Sequence, residues 1–302
     1  MENALERLAS GSRVAVVRLR SLGDCVLTTP ALAILKQSRP DLQVAVVVED
    51  RFAPVFDGNP DVQAILPPAV KPLARWRPDL CLNLHGGTRS MLLTAGSAAR
   101  MRAGFAHFRG AGIYNLRIPR AQEILGVVRK VHTAEHLASA MFYLGAAVQP
   151  IPRAKLFAAR RNPPAPYAVV HAVASQPDKT WAAEKFLVVG RHLRDQGLEP
   201  VFIAGPGEDL SAFGEFQCVV GAPLTETKSL LQSASLFVGN DSGPAHMAAA
   251  FGIPVVVLYG SSDPVVWAPW QVECKVLTGA GSIAGIEISE VMAAVDALRV
   301  RR

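Results

Sequence analysis

The chain has 302 residues, of which 50% are hydrophobic and 19% charged, and its formal net charge is +6 at pH 7. This length corresponds to about two domains, and the composition argues against a fibrous or disordered protein. Residues 1–155 hold 20 Lys and Arg against 11 Asp and Glu, a net of +9, whereas residues 156–302 hold 11 against 14, a net of −3. The basic first half predicts an anionic partner, although a solvated basic surface would carry the same charge.

The first half of the chain alternates apolar strands with helical segments. A β-branched run at 13–18 is followed by the loop L-R-S-L-G-D and by the helical pattern C-V-L-T-T-P-A-L-A-I-L-K-Q-S. Pro30 either kinks this helix or occupies its first turn. The remaining predicted elements of this half are strands at 43–50, 64–67, 80–87 and 101–105 and a helix at 132–144. Such alternation predicts a parallel sheet with right-handed crossovers.

A proline-rich segment, Q-P-I-P-R-A-K-L-F-A-A-R-R-N-P-P-A-P-Y, divides the chain and indicates a linker. The alternation resumes after it. Strands are predicted at 168–174, 200–205, 236–241 and 254–260, and helices at 182–197, 225–234 and 243–252. The tail I-S-E-V-M-A-A-V-D-A-L-R-V has the spacing of an amphipathic last helix, with Ser289 as its predicted N-cap. The sequence therefore predicts two doubly wound α/β domains.

Several classes of protein are disfavoured. The four cysteines are far apart and form no Cys-x-x-Cys pair, so neither a zinc site nor a disulfide scaffold is predicted. Charges in residues 1–13 argue against a secretory signal, and Pro and Gly interrupt the uncharged run between 241 and 263, which argues against a membrane span. We therefore expect a cytoplasmic protein.

The segment G-N-D-S-G-P-A-H-M-A-A-A-F-G-I-P places polar residues on the first turn of a short apolar helix. They are Asp241, Ser242, Gly243 and His246. In doubly wound sheets ligands bind beyond the carboxyl ends of the strands, and a helix N-terminus at that edge suits a phosphate. Ordinary capping by Asp or Ser would explain the same residues.

Two neighbouring loops favour the phosphate interpretation. Lys179 in S-Q-P-D-K-T-W could pair with a phosphate, and Glu208 in G-P-G-E-D could accept hydrogen bonds from ribose hydroxyls. The alternatives are a surface lysine and a helix N-terminal acid. No complete G-x-G-x-x-G, G-x-x-x-x-G-K-[ST] or D-x-D motif is present where dinucleotide, P-loop or metal-diphosphate binding would need it.

In the first half, Asp24 closes the loop R-L-R-S-L-G-D, where a carboxylate could take a proton from an acceptor hydroxyl. The alternative is an acid favoured by a helix N-terminus. His85 is either a strand-end histidine or a ligand. Four arginines could hold an anionic acceptor: Arg18, Arg20, Arg51 and Arg89.

Three motifs together resemble the lipopolysaccharide heptosyltransferases, the ADP-heptose-using glycosyltransferase family 9. They are R-L-R-S-L-G-D-C-V-L-T-T-P-A-L, D-K-T-W and V-G-N-D-S-G-P-A-H-M-A-A-A-F-G-I-P-V-V-V-L-Y-G-S-S-D-P, and the likeness extends from Val14 to about Trp270. The resemblance implies a GT-B fold, with two Rossmann-like domains facing across a cleft. These would be an acceptor-binding domain at 1–155 and a nucleotide-sugar-binding domain at 156–302, with the last helix a candidate for packing back on the first domain.

The resemblance also implies an activity: inverting transfer of a heptose from ADP-heptose to a lipopolysaccharide inner-core acceptor, without an obligatory metal or other cofactor. Asp24 would be the general base, and Lys179 would balance the charge on departing ADP. The implied donor-binding residues are Ser175, Lys179, Trp181, Glu208, Asp241, Ser242, Gly243 and His246. The implied partners are the nucleotide sugar and a phosphorylated glycolipid, with peripheral contact at the cytoplasmic face of the inner membrane and no nucleic acid.

Two other functions remain open on the residues. One is a GT-B sugar-nucleotide epimerase, or a transferase of another sugar. The other is a non-catalytic protein that binds nucleotide sugars, which the presence of both Asp24 and Lys179 disfavours.

Overall fold

The structure of the protein, a computed structural model, describes residues 3–174 and 176–299. The chain divides into two compact units, Met1–Lys155 and Leu156–Arg302. Each unit is built on one six-stranded sheet in which every strand pair is parallel, with helices flanking the sheet. The predicted α/β class is confirmed.

The sheet of the first unit has the strand order β3-β2-β1-β4-β5-β6. Its strands are β1 (Arg13–Val17), β2 (Gln43–Val47), β3 (Ala64–Leu66), β4 (Leu80–Asn83), β5 (Met101–Phe105) and β6 (Leu116–Ile118). The helices are α1 (Leu22–Ser38), α2 (Val70–Trp76), α3 (Thr88–Ala95), α4 (Ala121–Leu125) and α5 (Thr133–Leu144). In register, Val14 of β1 lies opposite Val44 of β2 and Leu80 of β4. The chain reverses strand order at β1, which places a topological switch point between β1 and β4.

The sheet of the second unit has the order β12-β11-β10-β7-β8-β9. Its strands are β7 (Tyr167–His171), β8 (Glu199–Ala204), β9 (Gln217–Val220), β10 (Leu236–Asn240), β11 (Val255–Tyr259) and β12 (Cys274–Thr278). The helices are α6 (Ala183–Asp195), α7 (Leu224–Gln232), α8 (Gly243–Phe251), α9 (Pro264–Trp267) and α10 (Ile288–Arg299). The switch point of this sheet lies between β7 and β10.

The central strands are buried on both faces. Strands β7, β10 and β11 are buried at every position, and β1 and β2 at every position but the first. This explains why they are continuous apolar runs in the sequence instead of alternating ones. The carboxyl ends of the strands lie together at one end of each sheet, here called the sheet edge. Each sheet edge receives the loops that carry the predicted site residues.

Two details of the helices answer expectations from the sequence. Pro30 lies inside α1, so it does not occupy the first turn. The prediction that Ser289 caps the last helix is wrong, because α10 begins at Ile288 and places Ser289 within its first turn. The backbone N–H of Glu287 is bound instead by the Glu290 carboxylate, at 2.8 Å.

The last helix belongs to the core of the second unit. Its buried side chains Val291, Val295 and Leu298 share a hydrophobic cluster with Phe186 and Leu193 of α6. Among residues 3–174 and 176–299, no helix has the length and apolar character needed to cross a membrane.

Candidate active site

Asp24 lies in the first turn of α1, just beyond the carboxyl end of β1. Ser21 occupies the N-cap position, and its backbone N–H and hydroxyl both donate to Asp24 Oδ2, at 3.3 and 3.0 Å. Arg18 Nη1 donates to the other oxygen, Oδ1, at 3.1 Å. The side chain of Asp24 is 22% exposed, so the carboxylate is fixed by three hydrogen bonds and still reaches the surface.

Arg18 is one of the four arginines predicted to contact an acceptor, and the structure buries it. It is 5% exposed, and its pKa is lowered by burial, an effect that the nearby Asp24 opposes. A guanidinium that is this buried and bound to Asp24 has little surface for an anionic ligand. The prediction that Arg18 is an acceptor contact is therefore corrected.

The other three predicted arginines are exposed at the same sheet edge. Arg51 and Arg89 both form ion pairs with Glu49, each at 3.1 Å. The Glu49 backbone N–H donates to the carbonyl of Leu19, which attaches this loop to the loop after β1. The structure thus brings Arg51 and Arg89 together, and Arg20 stays on the exposed part of the loop before Asp24.

Burial, together with the charge of Arg18, lowers the pKa values of two histidines. The pKa of His85 is lowered by burial and by the charge of Arg18, with smaller contributions from other neighbours. The pKa of His136, on α5, is lowered to about 4 by burial, by His107 and by Arg18. His136 also stacks on Phe105, with ring centroids 4.0 Å apart. Both imidazoles are therefore neutral at pH 7 and add no charge to this edge.

Asn83, which the sequence analysis did not select, organises the loop that carries His85. It is completely buried at the end of β4. Its Oδ1 accepts from the backbone N–H groups of His85 and Gly86, at 3.0 and 3.1 Å, and its Nδ2 donates to Ser90 and Tyr114. The available signal was the polar residue that ends the apolar strand L-C-L-N.

In the second unit, Ser242 is the N-cap of α8 and Gly243 and Pro244 begin the helix. The Ser242 hydroxyl does not cap the helix, and its oxygen is buried without a hydrogen-bond partner among the described residues. The first N–H groups of a helix have no partner within the helix and carry a partial positive charge. The first turn of α8 therefore presents backbone donors, and the buried Ser242 hydroxyl beside them has no partner among the described residues.

Lys179 and Asp241 approach each other at this helix terminus. Lys179 ends the short 3₁₀ helix Pro177–Lys179, and its Nζ lies 4.0 Å from Asp241 Oδ2. The backbone N–H of Asp241 donates to Leu258 of β11. Gly260 follows the same strand, and a Cβ atom there would lie 2.0 Å from the carbonyl oxygen of Asp178. Only glycine lets the lysine segment pack this closely against the end of β11.

Glu208 folds back on the end of β8. Its Oε2 accepts from the backbone N–H of Gly205 at 2.6 Å. This bond anchors the carboxylate at the same sheet edge as Asp241 and leaves a second oxygen able to accept from a ligand. The half-buried position of Glu208 is compatible with the predicted contact to ribose.

Trp181 is a structural residue. It is 0% exposed and its indole N–H donates to the carbonyl of Ile286 at 3.0 Å. The prediction that Trp181 contacts a donor is wrong for its side chain, because a completely buried indole has no surface for a ligand. Its backbone N–H is held by Asn240, at 3.1 Å, and Asn240 also donates to the carbonyl of Ala172, at 2.9 Å.

Two predicted donor contacts remain, His246 and Ser175. His246 is buried, on the second turn of α8, with its ring 6.5 Å from that of Trp267 in an edge-to-face arrangement. Ser175 lies outside the described residues. Within the described part of the chain, no group of three or more His, Cys, Asp or Glu side chains could hold a metal ion.

Comparison with known proteins identifies relatives of the chain. Residues 70–282 match the family described as glycosyltransferase family 9 (heptosyltransferase). The chain is 29% identical to lipopolysaccharide heptosyltransferase 3 of Escherichia coli K12, with 83% of each chain covered.

Two solved structures share the fold. The glycosyl transferase family 9 protein of Veillonella parvula superposes with a TM-score of 0.86 at 21% identity, covering 97% of this chain and 98% of the other. ADP-heptose lps heptosyltransferase II of E. coli gives a TM-score of 0.81 at 20% identity, covering 96% and 99%. The predicted GT-B fold is confirmed by these superpositions, and the family match confirms the predicted glycosyltransferase. The chain belongs to glycosyltransferase family 9, the heptosyltransferase family.

Proposed function

We propose that this glycosyltransferase moves a heptose from ADP-heptose to a phosphorylated lipopolysaccharide inner-core acceptor, with inversion at the anomeric carbon. The E. coli structural relative is named ADP-heptose lps heptosyltransferase II, and both E. coli relatives are named for lipopolysaccharide. The observation that carries the proposal is the convergence of Lys179 and Asp241 on the N-terminus of α8, where the Ser242 hydroxyl has no partner among the described residues.

In the proposed donor site, the diphosphate binds the first turn of α8. Backbone N–H groups would donate to its oxygens, and the buried Ser242 hydroxyl would do so after rotation about its Cα–Cβ bond. Lys179 would balance the negative charge that grows as ADP leaves. Glu208 would accept from a ribose hydroxyl with the oxygen that does not bind Gly205. Ser175, Gly243 and His246 remain predicted donor contacts.

In the proposed acceptor site, Asp24 removes a proton from the acceptor hydroxyl. The resulting oxygen attacks the anomeric carbon from the face opposite ADP, and the bond between that carbon and the diphosphate oxygen breaks with its electron pair. Inversion follows from this single displacement. Arg20, Arg51 and Arg89, which are exposed, would attract phosphate groups of the acceptor.

The variant Asp24→Asn tests the proposed base. It keeps the size of the side chain and removes the proton acceptor, so we expect loss of transfer by at least about 10²-fold with ADP affinity unchanged. The assay incubates ADP-heptose with an inner-core acceptor and detects glycosylated product by mass spectrometry. Near-normal turnover in Asp24→Asn would remove Asp24 from the base role.

A donor screen separates the competing functions. ADP-heptose, UDP-hexoses, GDP-hexoses and ADP-hexoses are compared by thermal shift and then by turnover with and without acceptor. We expect the largest shift and acceptor-dependent product with ADP-heptose. An isomerised donor formed without acceptor would indicate an epimerase, and binding without any product would indicate a non-catalytic protein.

The proposed acceptor also predicts peripheral contact with an anionic membrane surface through the basic first unit. Basic residues near such a surface each contribute about 1 kcal/mol, and salt screens the attraction. We expect the protein to sediment with vesicles that contain anionic lipid at low salt and to be released at high salt. Equal binding to neutral vesicles would contradict this electrostatic contact.

A further inference from the structure

We propose that Arg18 is a positioning residue that holds the carboxylate of Asp24 in its reactive orientation. The inference rests on the proposed function, in which Asp24 is the general base. It gives a role in catalysis to an arginine that the structure removes from the acceptor surface.

The hydrogen bonds divide between the two carboxylate oxygens. Arg18 Nη1 binds Oδ1, whereas both contacts from Ser21 go to Oδ2. If Ser21 were the only partner, the carboxylate could rotate about its Cβ–Cγ bond, because both contacts from Ser21 are to Oδ2. The guanidinium fixes the second oxygen and so determines which way the plane of the carboxylate faces.

The backbone that carries the guanidinium is anchored to the sheet. The Arg18 backbone N–H donates to the carbonyl of Val47 at 3.0 Å, which continues the pairing of β1 with β2 by one residue. The backbone N–H of Glu49 donates to the carbonyl of Leu19 at 3.1 Å. Arg18 is therefore presented from a rigid strand end, and a group held by a rigid element keeps catalytic geometry better than one on a mobile loop.

The charge environment makes Asp24 the counter-ion of Arg18. Within the described residues Arg18 forms one ion pair, with Asp24, and the neighbouring His85 and His136 have lowered pKa values and stay neutral at pH 7. The Nε atom of Arg18 is buried without a hydrogen-bond partner in the same part of the chain. A partly buried ion pair with an unsatisfied donor is weak evidence for a role in stability, which favours a role in the geometry of Asp24 over a role in folding.

The test measures kcat at saturating donor and acceptor, the KM for acceptor, and ADP affinity by calorimetry in Arg18→Met, Arg18→Lys and Asp24→Asn. We expect Arg18→Met to lower kcat by about 10²-fold, the loss typical of a misplaced catalytic group, with ADP affinity and acceptor KM unchanged. Arg18→Lys should recover part of this loss. Arg191→Met, which removes the exposed ion pair with Glu215, controls for the loss of an arginine.

Two further measurements distinguish positioning from a structural role. Guanidinium ion in the buffer should raise the rate of Arg18→Met and leave Asp24→Asn unaffected. Adding Arg18→Met to Asp24→Asn should not lower the residual rate further, because the effects of substituting residues that act as a unit are not additive. If Arg18→Met does not fold, the effect of Arg18→Lys on kcat, with and without Asp24→Asn, distinguishes positioning from a structural role.

Three results would overturn the inference: a normal kcat in Arg18→Met, a loss confined to acceptor KM, or an equal loss from Arg18→Met with and without Asp24→Asn. A loss confined to acceptor KM would indicate instead that Arg18 contacts the acceptor. Failure of the proposed function is distinct, because the unsubstituted protein would then form no glycosylated product from ADP-heptose and acceptor. Near-normal turnover in Asp24→Asn would remove the base role, and the inference with it, whatever Arg18→Met does.

Discussion

Lys179 and Asp241 are near each other without forming a tight ion pair. The distance of 4.0 Å between Nζ and Oδ2 exceeds that of a charge-assisted hydrogen bond, and the lysine side chain is 27% exposed. A partly exposed pair at this long distance contributes little, about 1 kcal/mol or less. The ammonium can therefore exchange Asp241 for a diphosphate at little cost.

Replacing Lys179 with Met should weaken both donor binding and turnover. The variant keeps most of the aliphatic stem and removes the charge, and one charge-assisted contact corresponds to about 1.5–3 kcal/mol, or roughly 10- to 10²-fold. ADP affinity by calorimetry and kcat with saturating acceptor measure the two effects. The control is Lys275→Met, an exposed lysine of β12, which should leave both unchanged; equal ADP affinity in the two variants would contradict the phosphate contact.

At the scale of residues, the sequence predicted the positions of the site residues better than their burial. Asp24, Lys179, Glu208 and Asp241 lie at strand ends as the loop positions indicated, because the ends of parallel strands meet at one edge. Burial depends on neighbours that are distant in sequence. Trp181 is covered by the segment at Ile286, which no local pattern connects with it.

At the scale of elements, the proposed donor site depends on how a loop packs against a strand end. The segment that carries Lys179 lies directly over Gly260, and its position is also fixed through Asn240, which binds the backbone on both sides of that segment at Trp181 and Ala172. The packing of these backbones determines where the ammonium lies. A change that touches no ligand can therefore alter donor binding.

The variant Gly260→Ala tests this dependence. The added methyl group would lie 2.0 Å from the carbonyl oxygen of Asp178, so the lysine segment must move. We expect ADP affinity to fall by roughly 10-fold or more, because contacts to phosphate require accurate placement.

Gly214→Ala is the matched control for Gly260→Ala. The nearest atom to its added methyl group is 3.6 Å away, and the backbone of Gly214 is already helical. Thermal denaturation of both variants separates local movement from unfolding. Unchanged ADP affinity in Gly260→Ala would show that the segment does not position Lys179.

Apart from β5 (M-R-A-G-F), the strands that the sequence predicted have continuous apolar runs. The sequence missed three strands, β6, β9 and β12, and each is an outermost strand of its sheet. Edge strands are covered on fewer sides, and β9 and β12 have no fully buried residue. Their sequences therefore lack the apolar run that revealed the central strands, and their pairing is decided by the neighbouring strand.

At the scale of the whole molecule, each unit contains a histidine that stays neutral because it is buried. Burial lowers the pKa of both His136 in the first unit and His171 in the second to about 4, with charged neighbours contributing to His136. The ordinary value in an unfolded chain is about 6.5. Between about pH 6.5 and about pH 4 these two histidines bind protons in the unfolded chain, whereas in the folded chain they do not. The contribution of each histidine to the free energy of unfolding is therefore complete above the unfolded pKa, about 6.5, and is lost as the pH falls towards the folded pKa, about 4.

We expect the free energy of unfolding to decrease between about pH 7 and pH 5, by roughly 2 kcal/mol for the fully buried His171. Urea denaturation followed by tryptophan fluorescence reports mainly on the second unit, which holds Trp181, Trp267 and Trp270. The variant His171→Gln removes this titration, so its stability should depend less on pH. An identical pH dependence in both proteins would rule out His171 as the source.

Asn83 and Asn240, the buried asparagines at the ends of β4 and β10, have a consequence for the thermodynamics of binding. Each ends an interior strand and ties backbone groups of the adjoining loops to the sheet. Loops secured in this way have already lost much of their conformational entropy when the protein folds. A ligand that arrives at either sheet edge therefore does not have to supply that ordering, and more of its intrinsic contact energy remains as affinity.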